Sequence, residues 1–203
     1  MTDISDAAAL RAHYGPVSEL AARKVMNRLD VHCRNFIALS PFLVLASSDG
    51  EGGSDASPRG DAPGFVRVLD DTSLLLPDRP GNHRMDSYGN VLARPGVGLV
   101  FLVPGINETL RVNGMARVVT DGDLLASVAA EGIAPHSALL ITVHEAFFHC
   151  GKALIRSHLW DASRQVERRS FPSLGRILAD QIQGMEASAA EAQVVESYRT
   201  RLY

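Results

Sequence analysis

Cysteine, tryptophan and long apolar runs are all scarce in this sequence. Among 203 residues there are two cysteines and one tryptophan, and the longest apolar run covers residues 97–103. Cys33 and Cys150 form no CxxC or zinc-ligand spacing, so we expect free thiols rather than a disulfide framework. An apolar run of that length is far too short to cross a bilayer, and residues 1–10 hold no apolar segment of signal-peptide length. We therefore expect a cytoplasmic protein.

The charge balance and the missing motifs narrow the function further. The chain carries 20 Lys and Arg against 23 Asp and Glu, a formal net charge of −3. No basic field is therefore available to attract nucleic acid or an anionic membrane. The sequence has no GxGxxG, P-loop or GxSxG motif, which argues against Rossmann, P-loop and serine-hydrolase sites. If the protein performs chemistry, a bound organic cofactor has to carry it.

Apolar spacing predicts helices at both ends of the chain and strands between them. Residues 1–40 show helical spacing with a start at Ser18, and helix returns after Pro172. The predicted strands are residues 42–48, 54–59, 65–69, 72–76, 97–103, 109–119 and 138–149. Six or so strands with few helices between them favour a mainly β (α+β) antiparallel barrel. We expect a single domain made of a helical extension over 1–40, the barrel over 41–160 and a second helical extension over 161–203.

Residues 76–87 join a strand to a helix and carry two arginines. Asn82 is well placed to cap that helix. Free N–H groups at a helix start favour an anion, and the guanidinium groups of Arg79 and Arg84 favour a phosphate in particular. The alternative is a structural corner whose arginines pair with nearby aspartates. The candidate partners are Asp70, Asp71, Asp78 and Asp86.

Two strands carry polar groups that suit a ligand. Pro58 removes a hydrogen-bond donor from the ladder, which indicates either a strand end open to a ligand or a strand stop with Arg59 exposed. Alternation places Thr109, Arg111 and Asn113 on one face of a later strand. That face either lines a polar ligand or meets solvent.

The segment after the last strand holds two cations and the only tryptophan. Trp160 can stack on a planar ring while Lys152 and Arg156 meet an anion. His149 and Cys150 are adjacent, so on a strand they point to opposite faces and rarely share a metal ion. No metal site is therefore predicted.

Four segments, taken together and in this order, resemble the pyridoxamine 5′-phosphate oxidase-like superfamily of FMN-binding split barrels. They are DASPRGD (55–61), PDRPGNHR (77–84), ETLRVNG (108–114) and HCGKA running on to RS and LW (149–160). The resemblance covers about residues 30–160 and is strongest to a bacterial subgroup of FMN-dependent enzymes whose substrates are mostly unassigned. It implies a six-stranded split β-barrel that forms a homodimer, with FMN at the subunit interface.

The resemblance also implies a role for each group of residues. The FMN phosphate is expected at Arg79, Asn82 and Arg84. The strand end beside the isoalloxazine ring corresponds to Ser57, Pro58 and Arg59. The strand that contributes from the partner subunit corresponds to Arg111, Val112 and Asn113. The segment that closes over the flavin corresponds to Lys152, Arg156 and Trp160.

These implications favour an FMN-dependent oxidoreductase with a small-molecule substrate, hydride transfer through flavin N5 and NADH or NADPH as a candidate donor. No catalytic acid or base stands out, and His83, His149 and His158 are candidates by type only. Residues 197–203 lack the Arg-x-His that characterises the true pyridoxamine phosphate oxidases, which argues against vitamin B6 synthesis. The alternatives are a flavin- or haem-binding carrier or sensor without turnover, and a scaffold without a ligand.

Overall fold

The computed structural model describes residues 3–203, and three short helices come first. They are α1 (Ala7–Tyr14), α2 (Glu19–Arg23) and α3 (Val31–Leu39). The side chains of Asp6, Ser18 and Asp30 each accept a hydrogen bond from the first turn of the helix that follows, as good N-caps do. The predicted start at Ser18 is thus correct. The predicted helical extension also includes Met1 and Thr2, which lie outside the described residues.

The apolar spacing of the first 40 residues does not make one continuous helical face. Leu20 is 80% exposed, whereas Leu29 and Phe36 are buried. Between α2 and α3 the chain instead forms a β-bridge from Met26 to Ala146. Residues 24–30 therefore form an irregular segment that pairs with the sheet at Met26, and among α1, α2 and α3 only α3 has buried side chains.

One antiparallel sheet forms the middle of the protein. Its strands are β1 (Phe42–Ser48), β2 (Ser54–Gly60), β3 (Arg67–Val68), β4 (Ser73–Pro77), β5 (Gly96–Leu102), β6 (Thr109–Val119) and β7 (Ala138–His149). Their spatial order is β2-β1-β5-β6-β7-β4-β3, and all neighbours are antiparallel. The α+β class and the antiparallel pairing agree with the prediction. Within residues 3–203, however, the sheet has seven strands rather than six and is not closed, since the edge strands β2 and β3 do not pair.

Alternating apolar residues of the sheet form the main core. Phe36 and Ile37 of α3 pack against this core, and the rings of Phe36 and Phe148 contact each other edge to face with their centroids 5.4 Å apart. The largest fully buried strand side chains include Leu43, Leu45, Leu74, Leu99, Phe101, Leu110 and Ile141. Strand β2 contributes no fully buried residue. It is therefore an edge strand whose backbone and side chains remain accessible to a ligand.

A β-bulge interrupts the pairing of β6 with β7. Asn113 pairs with Glu145, but Gly114 pairs with Val143, so His144 is an extra residue on β7. A Cβ atom on Gly114 would collide with the backbone carbonyl of Thr142. Glycine is thus required at this contact, and the bulge on β7 increases the local twist of the pair next to the predicted site residues of β6.

Five more α-helices complete the structure. Helix α4 (Asp86–Ala93) packs against β1, β2 and β6 and buries Ser87, Tyr88 and Val91. Helices α5 (Gly122–Ala126) and α6 (Lys152–Ser157) are short and follow β6 and β7. Two 3₁₀ turns, Ala162–Arg164 and Arg168–Ser170, lead to α7 (Leu174–Gln181) and α8 (Ala187–Thr200). The division of the chain at residues 40 and 160 stays a prediction.

Helices α7 and α8 pack closely against each other. A Cβ atom on Gly175 would lie 2.5 Å from the Cα atom of Glu191, so glycine allows the two backbones to approach. The hydroxyl of Ser173 caps α7 and also donates to the Glu191 carboxylate. No helix among the described residues is long and apolar enough to cross a membrane.

Candidate functional site

A cleft of about 630 Å³ opens at the edge of the sheet. Residues 55–59 of β2, the segment 78–88 between β4 and α4, the loop 133–137 before β7, and Tyr203 line it. Its volume lies within the usual range of small-molecule sites, about 300–1,000 Å³. The cleft brings two of the four motif segments together, and with them the predicted site residues Ser57, Pro58, Arg59, Arg79, Asn82 and Arg84.

The segment between β4 and α4 has an unusual backbone. His83 and Met85 both have φ near 58°, in the left-handed region that favours glycine. Asn82 Oδ1 accepts the N–H of Arg84 at 3.1 Å, which makes an Asx-type turn. Helix α4 begins only at Asp86 and has no side-chain cap. The prediction that Asn82 caps the helix is therefore wrong, because left-handed residues separate Asn82 from the first helical turn.

Arg79 is firmly held at one end of the cleft. Its Nε donates to Asp61 Oδ2 at 2.5 Å, and its Nη2 donates to the carbonyl oxygen of Val128 at 2.9 Å. The side chains of Arg79 and Asp61 are 16% and 3% exposed. This is a buried, charge-assisted contact with little freedom to move. Asp61 was not among the aspartates that the sequence suggested as partners.

Arg84 is in contrast held loosely. Its Nε lies 2.7 Å from Asp86 Oδ2, and the two side chains are 71% and 48% exposed. The predicted pairing with Asp86 is thus present, but exposed ion pairs of this kind contribute little to stability. Arg84 can therefore exchange its carboxylate partner for an anionic ligand at low cost.

Arg59 has an incomplete set of partners. Its Nη1 lies 3.8 Å from Asp78 Oδ1, and its Nη2 donates to Ser87 Oγ at 3.2 Å, while Ser87 in turn donates to Asp55 Oδ2 at 2.7 Å. Exposed residues apart, Arg59 Nε is the only buried side-chain nitrogen or oxygen atom of residues 3–203 that has no hydrogen-bond partner. An unsatisfied buried donor costs about 1–3 kcal/mol. The Arg59 side chain lines the cleft and is 23% exposed, so its terminal N–H groups are available to a ligand acceptor there.

Several titratable groups surround Arg59. Burial raises the pKa of Asp78 above its ordinary value of 3.8, although the charges of Arg59, His136 and His83 act in the opposite direction. Burial and the nearby Asp78 charge raise the pKa of Tyr88 to about 12. The cleft therefore contains a carboxyl group, Asp78, that is harder to ionise than usual, and near it a tyrosine hydroxyl, Tyr88, that stays neutral.

Sequence reasoning did not assign Asp55, Asp78, Tyr88, His136 or Tyr203 to the site. Asp55 and Asp78 lie inside the motif segments, so the sequence motifs could have identified them as site residues. His136 and Tyr203 carry no local pattern, and only the fold brings them to the cleft. Of the three histidines considered as acid or base, His83 lines the cleft, whereas His149 and His158 do not.

The other two motif segments lie outside this cleft. Arg111 on β6 lies over the ring of Phe147 with Cζ 5.1 Å from the centroid, and Asn113 donates to Glu145 Oε1 at 2.7 Å. Val112 is fully buried in the core. On the strand face that was expected to meet either a polar ligand or solvent, Thr109 is buried, whereas the side chains of Arg111 and Asn113 are half-buried. The solvent-facing alternative is thus excluded for Thr109 only.

The residues after β7 are also remote from the cleft. Lys152 and Arg156 lie exposed on α6, and Trp160 Nε1 donates to the carbonyl oxygen of Ile106 at 2.9 Å. One chain therefore brings together half of the predicted cofactor residues and places the other half elsewhere. Within the described part of the chain, no group of three or more His, Cys, Asp or Glu side chains is arranged to hold a metal ion.

Comparison with known proteins gives one family and several similar structures. The family model described as pyridoxamine 5′-phosphate oxidase matches residues 29–150. No curated protein matches the sequence. A protein of Lactobacillus delbrueckii, described provisionally as a pyridoxamine 5′-phosphate oxidase, is 25% identical with a TM-score of 0.47, over 60% of this chain and 95% of its own.

Two other solved structures are more distant in sequence. The FAD binding protein of Mycobacterium smegmatis is 14% identical with a TM-score of 0.42, over 61% of this chain and 97% of its own. HutZ, the heme storage protein of Vibrio cholerae, is 15% identical with a TM-score of 0.42, over 59% of this chain and 94% of its own. The family match spans more than half of this chain and contains the segments at 55–61, 77–84 and 108–114.

Proposed function

The chain belongs to the pyridoxamine 5′-phosphate oxidase family, and on that basis we propose that it is an FMN-dependent oxidoreductase acting on a small molecule. When bound, FMN supplies hydride transfer at its N5 atom, and NADH or NADPH is the proposed electron donor. The chain itself has to bind the phosphate, hold the flavin ring and keep water away from it. The cleft between β2 and the segment 78–88 is the proposed place for the cofactor.

The observation that carries this proposal is the unsatisfied side chain of Arg59. Its buried Nε faces no acceptor in the protein, and its Nη1 is 3.8 Å from the nearest carboxylate. Flavin has acceptor atoms along one edge of its ring, where negative charge accumulates on reduction. A positive group held at that edge stabilises the reduced form. Arg59 therefore fits the ring, with the β2 backbone at Ser57 and Pro58 beside it.

The segment 78–88 suits the phosphate. Arg84 is exposed and weakly paired, so a phosphate can replace Asp86 as its partner. Arg79 is anchored by Asp61 and Val128 through two of its N–H groups, which leaves the others for a ligand. Asn82 stabilises the turn that places Arg84. An arginine held in advance loses little entropy on binding an anion.

A homodimer accounts for the predicted residues that lie outside the cleft. We expect each chain to present them to the FMN of the partner subunit. This group comprises Arg111, Asn113, Lys152, Arg156 and Trp160. The side chain of Val112 is buried in the core, so this residue can take part only through its backbone. Light scattering combined with flavin quantification tests the expectation. A monomer that holds one FMN per chain at full affinity contradicts it.

The first experiment is to purify the protein, record its absorption spectrum and identify the molecule that denaturation releases. We expect flavin absorption bands, release of FMN, and bleaching by NADH or NADPH without oxygen. Flavin bands without bleaching favour a carrier. A Soret band favours a haem-binding protein, and a colourless protein that takes up neither group contradicts both.

A matched pair of arginine variants tests the phosphate position. Arg84→Ala is expected to weaken FMN binding about tenfold or more, since a charge-assisted contact contributes about 1.5–3 kcal/mol. Arg199→Ala is the control, because Arg199 is 70% exposed, is paired with Glu196 on α8 and does not line the cleft. Equal FMN affinity of the two variants, measured by flavin fluorescence titration, would show that Arg84 does not hold the phosphate.

A further inference from the structure

Tyr203 connects the helical pair α7–α8 to the cleft. Helix α8 ends at Thr200, and three residues later the Tyr203 hydroxyl donates to Asp61 Oδ1 at 2.8 Å. Across residues 3–203, this is the only side-chain hydrogen bond that joins residues 161–203 to the rest of the protein. It is made at the wall of the cleft itself.

Asp61 is the centre of this connection. Its Oδ2 accepts the Nε of Arg79 at 2.5 Å, and its Oδ1 accepts the backbone N–H of Ala62 at 2.6 Å as well as the Tyr203 hydroxyl. Burial raises the pKa of Asp61, but the hydrogen bonds from Tyr203, Ala62 and Arg79 outweigh it and hold the pKa below 3.8. The carboxylate is therefore ionised and accepts from three donors.

The Tyr203 hydroxyl limits how strongly Asp61 attracts Arg79. A carboxylate shares its negative charge among its donors, and Asp61 has three of them. Without the hydroxyl, Asp61 accepts only from Arg79 and Ala62, and its negative charge interacts more strongly with each of them. The Arg79 guanidinium is then drawn toward Asp61, and less of its positive charge is available to a ligand.

We propose that Tyr203 is a positioning residue for the phosphate of the cofactor: acting through Asp61, it sets the position and the available charge of Arg79. The inference rests on the proposed function, since it takes FMN as the ligand. It gives residues 161–203 a role at the cleft that the family match, which ends at residue 150, does not cover.

The experiment compares two flavins that differ by one phosphate. Tyr203→Phe keeps the ring in the wall of the cleft and removes only the hydroxyl. We expect FMN to bind about two- to fivefold more weakly to this variant, because at most the strength of one ordinary hydrogen bond can be passed through Asp61 to Arg79. Riboflavin, which lacks the phosphate, is expected to bind as it does to the unsubstituted protein. Both affinities are measured by quenching of flavin fluorescence.

Tyr198→Phe is the matched control, because Tyr198 lies on α8 and is 60% exposed. It is expected to leave both affinities unchanged. In an Asp61→Asn background, Tyr203→Phe is expected to have no further effect on FMN, since the two residues act through one contact.

Each other result overturns the inference in a recognisable way. Equal weakening of FMN and riboflavin by Tyr203→Phe would mean that the hydroxyl supports the fold and not the phosphate site. Unchanged FMN affinity would mean that Arg79 does not depend on Tyr203. If the unsubstituted protein binds neither flavin, the proposed function fails and the inference fails with it.

Discussion

Replacing Arg79 by alanine should destabilise the protein strongly, whereas replacing Arg84 should not. Arg79→Ala removes a charge-assisted hydrogen bond to a carboxylate that is 3% exposed. Such a bond contributes about 1.5–3 kcal/mol, and removing one partner of a fully buried pair costs about 3–5 kcal/mol. Asp61 keeps its bonds from Tyr203 and Ala62, so we expect a loss near the lower bound, about 3 kcal/mol.

Arg84 gives the contrasting case. Its ion pair with Asp86 is mostly exposed, and surface substitutions of this kind change the free energy of unfolding by about 0.5 kcal/mol or less. The two arginines of the same motif therefore differ in what their loss affects. Arg79→Ala is expected to lower both stability and FMN affinity, and Arg84→Ala only FMN affinity.

Urea denaturation of the flavin-free protein measures the difference. Bound ligand must be removed first, because it stabilises the folded state by mass action. Circular dichroism follows the whole fold, and the fluorescence of Trp160, whose indole N–H is bonded to Ile106, follows the region around α6. Equal slopes with shifted midpoints would show that stability alone has changed.

One result would refute the reasoning about Arg79. If Arg79→Ala loses less than about 1 kcal/mol, the Asp61 carboxylate is sufficiently solvated or bonded without it. Arg79 would then be free to move, and the argument for an arginine held in advance for the phosphate would lose its basis. A loss of the same size in Arg84→Ala would likewise show that exposure does not separate the two residues.

Two further predictions concern pH and thiol chemistry. Burial places the folded-state pKa of Asp78 above 3.8, so this group stabilises the folded state only when protonated and costs stability as the pH rises through its raised pKa. Asp78→Asn is therefore expected to gain stability relative to the unsubstituted protein as the pH rises above 3.8, and a pH-independent difference in urea midpoints would contradict this. Burial also raises the pKa of Cys33 to about 11, whereas Cys150 is exposed. A disulfide reagent near neutral pH should thus modify Cys150 rapidly and Cys33 only after unfolding, and rapid reaction of both in the folded protein would contradict the burial.

The strands were the most predictable part of the fold. β1, β6 and β7 have the predicted boundaries 42–48, 109–119 and 138–149, because alternating apolar residues are bounded by turn-forming segments there. The strand count was less predictable. β3 has two residues, and whether such a short segment pairs is decided by its neighbours rather than by its own sequence.

Half of the candidate site was predictable from the motif segments, because strand ends and turns rich in Pro, Gly and Arg carry a local signal. The actual start of α4 at Asp86 was not predictable. Nothing in the sequence indicates that His83 and Met85, which are not glycines, adopt the left-handed conformation. The partner of Arg79 was not predictable either, because Asp61 lies 18 positions before it and nearer aspartates were available. Tyr203 and Asp61 are 142 positions apart, and a contact over that distance leaves no pattern in a single sequence.

The pairing of every arginine in the cleft has a consequence for the speed of ligand capture. Arg59, Arg79 and Arg84 each face a carboxylate, so positive and negative charges nearly cancel at the mouth of the cleft. Such an entrance produces little long-range attraction for a diffusing anion, and the association rate depends only weakly on ionic strength. A ligand therefore reaches the cleft by diffusion without electrostatic steering, and it replaces the carboxylate partners of the arginines only after it has entered. Its affinity is then determined mainly by its dissociation rate.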